Sequence, residues 1–253
     1  MARYLLLDDQ GAFPVDQSGR PLYVASAAGE SLGVSVHVDG DTFAVRVPRE
    51  VVRHVSAHGV AYARNFAQDR TISRAVSLLA NRARTLFDPA DGSPLRYDEA
   101  GFVARGDRDW PIFPRLDPAV IGVVVDTRTD AILLAENRQR RGFYSCIAGY
   151  VEHGENLEEA FAREVKEETG YGCHNVTYWA SQPWAMSGSL MMGFFAERTD
   201  EPPAEETDGE LADIIWATRD DVDRLPLPLP GSLARSLIDT WRAGKHEIRK
   251  AGA

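Results

Sequence analysis

Apolar positions in the first 70 residues come in short runs broken by turn-forming residues, among them YLLLDD and PLYVAS. The alternation in SVHVDGDTFAVRV, with Asp39, Gly40 and Asp41 at its middle, predicts a β-hairpin. From Val51 to Leu86 the spacing is mostly helical, most clearly in the alanine-rich TISRAVSLLANRARTLF. Beyond Asp117 strand and helix periods alternate. AVIGVVVD and AILLAEN, separated by TRTD, predict a second hairpin. FYSCIAGYV, VTYWASQPWAMS, LMMGFFAERT and IIWAT predict further strands, and SLARSLIDTWRAG a closing helix. Between them, Leu157 to Thr169 sets Ala160, Phe161 and Val165 on one helical face, and Gly170 follows as a C-terminal cap. The pieces predict an α/β fold, a mixed sheet packed between helices, preceded by a small α+β domain. The expected division is 1–86, a connecting segment 87–115, and 116–253.

Composition narrows the function. With 253 residues the chain has room for one large or two modest domains. A net charge of −10 argues against a general binder of nucleic acid or of anionic membranes, and no DNA partner is expected. No apolar run approaches the roughly 18–20 residues that span a bilayer, and the apolar start of MARYLLLDDQ is short and followed at once by acids. A cytoplasmic location is the expectation. The two cysteines, Cys146 and Cys173, lack the close pairing of a zinc clip and read as small buried hydrophobes.

The chemistry concentrates in GYVEHGENLEEAFAREVKEETGY, residues 149–171. On a helix of 3.6 residues per turn, Glu164, Glu167 and Glu168 project from one side. Three like charges there repel, and hard oxygen donors of this kind suit Mg²⁺ or Mn²⁺, with waters and substrate phosphates completing the shell. A solvated acidic face is the alternative for the charge run alone. Gly149, Glu155, Arg163, Glu164, Val165, Glu167, Glu168 and Gly170 also fit the phased pattern G-x5-E-x7-R-E-U-x-E-E-x-G-U, with Tyr171 in a slot that is usually aliphatic. This pattern resembles the signature of the Nudix hydrolases, which cleave nucleoside diphosphates linked to another group. The resemblance implies the α/β/α Nudix sandwich for 116–253. It also implies a metal site at Glu164, Glu168, Glu210 and the Ala148 carbonyl, where Glu167 or Glu210 takes the proton of the attacking water. Arg163 would brace the loop through Glu155.

The segment FDPADGSPLRYDEAGFVARGDRDWPIFPR, 87–115, resembles the zinc ribbon of one Nudix branch, the NADH (NAD-capped RNA) pyrophosphatases. Asp88 and Asp91 stand where that branch carries its first cysteine pair. Aspartates at this spacing are poor substitutes for thiolates, so no structural zinc is expected. A ribbon shape held by Pro94, Leu95, Tyr97, Phe102 and Trp110 is.

Ser181, Gln182, Pro183 and Trp184 resemble the S-Q-P-W-x-F-P element of the same branch, and Ser189-Leu190-Met191 fits it as well. Ala185, Met186 and Ser187, before Gly188, depart from it; two prolines and an aromatic face are gone, which loosens the loop. By the resemblance this element lines the dinucleotide site together with Tyr150, a base-stacking aromatic, and Ala234, a small residue at the nicotinamide end. Phe113 corresponds to an aromatic contributed across a homodimer interface. Trp184, Tyr150 and Phe113 fit ordinary packing too, and Glu210 fits a solvated acidic loop. The resulting expectation is a homodimeric, metal-dependent pyrophosphatase that cleaves NAD(H), and the NAD cap of an RNA 5′ end, to nicotinamide mononucleotide and AMP. The alternatives are another nucleoside diphosphate derivative such as ADP-ribose, or a nucleotide sensor on the same fold.

Overall fold

The computed structural model describes residues 1–25, 33–204 and 206–248, so Ser26 of the PLYVAS run and Glu205 of the acidic loop lie outside the described residues. The chain forms two compact units. One comprises Met1–Leu116 with Pro183–Ser189, the other Asp117–Gln182 with Leu190–Ala253.

In the first unit a four-stranded sheet runs in the order β3 (Tyr23–Ala25), β1 (Arg3–Leu7), β5 (Thr42–Arg46), β4 (Ser35–Asp39). β4 and β5 form the hairpin expected around Gly40, while β1 and β5 pair in parallel. Side chains of β1 alternate between two cores. Leu5 and Leu7 meet Ile72, Ala75 and Leu79 of α2 (Arg70–Arg84), and Tyr4 and Leu6 meet Val52 of α1 (Arg49–Val55). The stretch expected to be mostly helical also holds a strand, β6 (Val60–Tyr62), paired with β2 (Ala12–Pro14). The preceding helix ends at Val55 with Ser56 as its C-cap, and Gly59, at φ 115°, turns the chain into this strand.

Residues 87–115 fold within this unit as a meander of three two-residue strands, β7 (Arg96–Tyr97), β8 (Ala104–Arg105) and β9 (Pro111–Ile112). Of the residues expected to hold a ribbon here, Leu95, Tyr97 and Phe102 are partly buried, whereas Pro94 and Trp110 are exposed. Asp88, buried, accepts a hydrogen bond from the Ala90 N–H (2.8 Å). Asp91 accepts one from the Ser93 N–H (2.9 Å) and pairs with Arg108 (3.3 Å).

The second unit is a six-stranded mixed sheet. β13 (Cys173–Trp184), β14 (Ser189–Arg198), β10 (Asp117–Asp126), β11 (Ala131–Asn137) and β15 (Leu211–Thr218) follow in that order, and β12 (Ile147–Tyr150) also pairs with β10. β10 is buried on both faces. Val120 and Val124 pack with Phe161 and Val165 of α3 (Leu157–Thr169), and Ile121, Val123 and Val125 pack with Leu237 and Trp241 of α5 (Leu233–Arg242). A short helix, α4 (Arg219–Val222), follows β15. The layers are helix, sheet, helix, the α/β/α sandwich expected from the signature. Among the described residues no helix is long and apolar enough to cross a membrane.

Candidate active site

Helix α3 is fixed at both ends by its own sequence. Asn156 Oδ1 accepts the Glu159 N–H (2.9 Å) while Glu159 Oε2 accepts the Asn156 N–H (3.0 Å), a reciprocal cap that sets the first turn. Gly170, at φ 74°, closes the last turn by donating its N–H to the Lys166 carbonyl (2.9 Å). Phe161 and Val165 are fully buried on the sheet side, each contributing about 1.5–3 kcal/mol of apolar burial. The anchored face leaves the other to Glu164, Glu167 and Glu168.

Arg163 organises the entry to this face. It donates to both oxygens of Glu155 (2.5 and 3.0 Å), to the Tyr150 carbonyl (2.9 Å), to Glu164 Oε1 (3.0 Å) and to Glu167 Oε2 (2.9 Å). The bonds to Glu155 come first among those that raise the Arg163 pKa, and Glu155 in turn is held below the usual carboxylate range. Arg163 thus braces loop 150–155 against the helix.

The Glu164 carboxylate lies against the backbone of Gly149: a Cβ on that glycine would fall 2.0 Å from Glu164 Cδ. Any larger residue at 149 would fill the space the carboxylate occupies. Burial raises the Glu164 pKa. Glu168, only 7% exposed, is pushed up to about 8, first by burial and then by Glu164, Asp208, Glu210 and Glu167. No hydrogen bond reaches its carboxylate among the described residues.

Asp208 and Glu210 reach this cluster because the preceding loop is tied to the helix end. Ala204 donates its N–H to the Gly170 carbonyl (2.8 Å) and Asp208 to the Glu167 carbonyl (3.0 Å). The Glu210 N–H then bonds Asp208 Oδ1 (2.9 Å), and the Glu210 carbonyl accepts the Arg138 N–H (3.0 Å). Sequence reasoning picked Glu210 and missed Asp208, which lacks any spacing relation to the signature and arrives through backbone bonds alone.

The other expected site residues fall in several places. Ala148 sits on β12 opposite Ile121 of β10, next to the Gly149 cradle. Tyr150 ends that strand with its ring 53% exposed. Gln182 is buried, and its amide is engaged at both ends, donating to the Gly231 carbonyl (2.9 Å) and accepting the Leu233 N–H (2.8 Å). It clamps the start of α5. Ala234 is packed in the core there, its carbonyl accepting the Cys146 thiol (3.6 Å).

Pro183 to Ser189 and Phe113 belong to the first unit. In that stretch Trp184 is partly buried and its carbonyl accepts the Gly188 N–H (3.1 Å), closing the turn. Ala185 packs against the α2 core, Met186 reaches toward Gly11, and the Ser187 and Ser189 hydroxyls bond each other (2.8 Å). Pro183 is exposed. Phe113 is 61% exposed and meets Phe102 edge-on at 6.5 Å.

Residues 115–238 match the NUDIX domain family. Over 216 residues the chain is 34% identical to the NAD-capped RNA hydrolase NudC of Mycobacterium bovis, a match covering 78% of this chain and 67% of that protein. The chain belongs to the Nudix family. It is also 45% identical over 131 residues to the NAD-capped RNA hydrolase NudC of Photobacterium profundum, covering 50% of this chain and 46% of that one. A crystal structure of a NUDIX hydrolase from Nitrosomonas europaea superposes with a TM-score of 0.50 over 63% of this chain and 92% of that one at 18% identity, sharing the fold. The protein is a Nudix hydrolase of the NudC-like branch.

Nudix hydrolases generally use divalent metals, and the donors here fit one in kind. The Glu164 cradle, the largely buried carboxylate of Glu168 and the surrounding acids form a hard-oxygen, negative environment. Among the described residues no three His, Cys, Asp or Glu side chains are arranged as a ready ligand set, since Glu164 and Glu167 are turned onto Arg163. One or two carboxylates suffice for Mg²⁺, which keeps most of its waters and takes substrate phosphates as further ligands.

Proposed function

We propose that this Nudix hydrolase cleaves the diphosphate of NAD(H), free or as the cap of an RNA 5′ end, with Mg²⁺ or Mn²⁺ as cofactor. The observation that carries the reading is the extent of the M. bovis match. Residues 115–253 make up only a little over half of the chain, so a relationship covering 78% of it runs well into the first unit. Likeness that extends past the shared catalytic domain favours likeness in substrate, and that relative's name is NAD-capped RNA hydrolase.

Glu164 and Glu168, with the Ala148 carbonyl, would hold the cation. A divalent ion held there would supply positive charge to offset that which grows on the phosphate oxygens as the P–O bond breaks. The attacking water forms a bond to one phosphorus and gives its proton to Glu167 or Glu210, both exposed carboxylates. The bridging P–O bond breaks, leaving nicotinamide mononucleotide and AMP, or an RNA with a 5′-monophosphate. Arg163 acts as a positioning residue, holding the loop after Gly149 against α3. Tyr150, Trp184 and the 183–189 turn recognise the dinucleotide, and Phe113 serves a homodimer. Support for the dimer comes from the exposed Phe87, Trp110 and Phe113 in the ribbon segment and the exposed Leu86 and Leu116 that flank it.

Ala185, Met186 and Ser187 favour a second reading, in which related adenine dinucleotides such as ADP-ribose are accepted as well. Turnover of NADH, NAD⁺, ADP-ribose, a diadenosine polyphosphate and an NAD-capped oligoribonucleotide, with products identified, tests both. A preference for ADP-ribose over NADH and capped RNA would favour the second, and separate Glu167→Gln and Glu210→Gln variants would identify the proton acceptor.

A further inference from the structure

The loop between β11 and β12 carries Arg138, Arg140 and Arg141, a dense positive cluster in a chain of net charge −10. All three are exposed. The loop borders the acid cluster, because the Arg138 N–H is bonded to the carbonyl of Glu210 (3.0 Å), and Glu210 acts electrostatically on both Glu164 and Glu168.

Fold maintenance accounts for only part of this charge. Arg141 pairs with Glu136 (3.1 Å), whose other oxygen accepts the Gly142 N–H (2.7 Å). Asp213, across the sheet from Glu136, takes the Tyr144 hydroxyl (2.5 Å). These neighbouring carboxylates are therefore engaged elsewhere. Arg138 donates its Nε–H to the Leu211 carbonyl (2.8 Å), a neutral partner that fixes the side chain, and among the described residues no carboxylate pairs with it. Among the described residues no carboxylate pairs with Arg140, and only its backbone is tied down, by an N–H bond to the Asn137 carbonyl (3.2 Å).

We infer that Arg138 and Arg140 bind the phosphodiester backbone of a single-stranded RNA whose capped 5′ end occupies the acid cluster. The inference rests on the NAD-cleaving reading above and deepens it. An acidic protein repels a polynucleotide over most of its surface, so these two guanidinium groups beside the reacting diphosphate supply the local reversal of field that RNA needs and a free dinucleotide does not.

The test compares free NAD with a single-stranded oligoribonucleotide carrying a 5′ NAD cap, using wild type, Arg140→Gln, the Arg138→Gln/Arg140→Gln pair and the Arg138→Lys/Arg140→Lys pair. The Gln pair is expected to lose about ten-fold in kcat/KM on capped RNA and to stay within about two-fold on free NAD. Its plot of log kcat/KM against log salt for capped RNA should be shallower by about 1.4, near 0.7 for each phosphate contact removed. Arg140→Gln should show about half of that change, and the Lys pair should keep most of the wild-type rate. An equal fall on both substrates, or none on capped RNA, overturns the inference, and Arg140→Gln keeps the outcome readable if the pair folds poorly. Wild type that cleaves free NAD but not capped RNA also overturns it while leaving the NAD reading intact. Wild type that cleaves neither removes both.

Discussion

Helix α3 and the ribbon turn at Asp88–Ser93 both present acidic side chains where a metal is in question, and the structure treats them in opposite ways. In the turn the carboxylates are satisfied locally, Asp88 by the Ala90 N–H and Asp91 by the Ser93 N–H and Arg108. On the helix Glu168 is buried, receives no hydrogen bond among the described residues, and faces four other acids. Burying a carboxylate this way costs stability, and a chain keeps such an arrangement where an added cation offsets the cost. The contrast separates acids satisfied within their own turn from a buried acid left facing other acids, the arrangement that the proposed cation would relieve.

The largest effect expected from this contrast is in Glu168→Gln. Activity should fall by about a thousand-fold, near 4 kcal/mol in transition-state terms. The melting temperature in excess chelator should stay level or rise, because the substitution removes a disfavoured buried charge. A variant within a few-fold of wild type would place the chemistry elsewhere.

Next comes the pH dependence of metal-free stability. The Glu168 pKa is raised from 4.5 to about 8 in the folded state, so between these values the folded chain binds more protons than the unfolded one. The contribution of this group to stability is therefore fully present below pH 4.5 and is lost as pH rises toward 8. The fall from this group is on the order of 3 kcal/mol once relaxation around the charge is allowed for. Denaturant unfolding across that window in chelator should show it. Saturating Mg²⁺ should flatten the slope, and Glu168→Gln should lack that part of it.

Recognition outside both regions is sharpened by Trp184→Ala. If the ring stacks on the nucleoside, kcat/KM for NADH should fall by the equivalent of about 1–3 kcal/mol, with a minimal pyrophosphate substrate affected far less. Unchanged NADH kinetics in a folded variant would make the ring mere packing. The smallest effect is expected in the ribbon. Asp88→Ala should lower stability by about 1–2 kcal/mol through the orphaned turn N–H, leave turnover per folded molecule unchanged, and accompany a protein without stoichiometric zinc after dialysis. About one zinc per chain by elemental analysis would reverse the reading of that segment.

Legibility in the sequence followed the range of the forces involved. The bounds of α3 were readable because a 3.6-residue apolar period and a glycine C-cap are local signals. The strand at Val60–Tyr62 was hidden because its pairing with β2 is distant in sequence. Tyr171, loose against the signature, is explained only by tertiary neighbours: the Arg198 guanidinium lies 4.9 Å from both the Tyr171 and Trp216 rings, and the rings meet edge to face. Within the site the signature acids were legible from spacing. Asp208 and the Gln182 clamp on α5 were not, since backbone bonds to distant segments place them.

The most direct test of the central claim, that the acid cluster on α3 is a metal-dependent site for diphosphate cleavage of NAD(H), is turnover of NADH with Mg²⁺ or Mn²⁺ and again in excess chelator, with products separated. The account predicts reduced nicotinamide mononucleotide and AMP in equal amounts with metal, and loss of turnover in chelator that added metal restores. Undiminished turnover in chelator, or products cleaved anywhere other than the diphosphate, would contradict it.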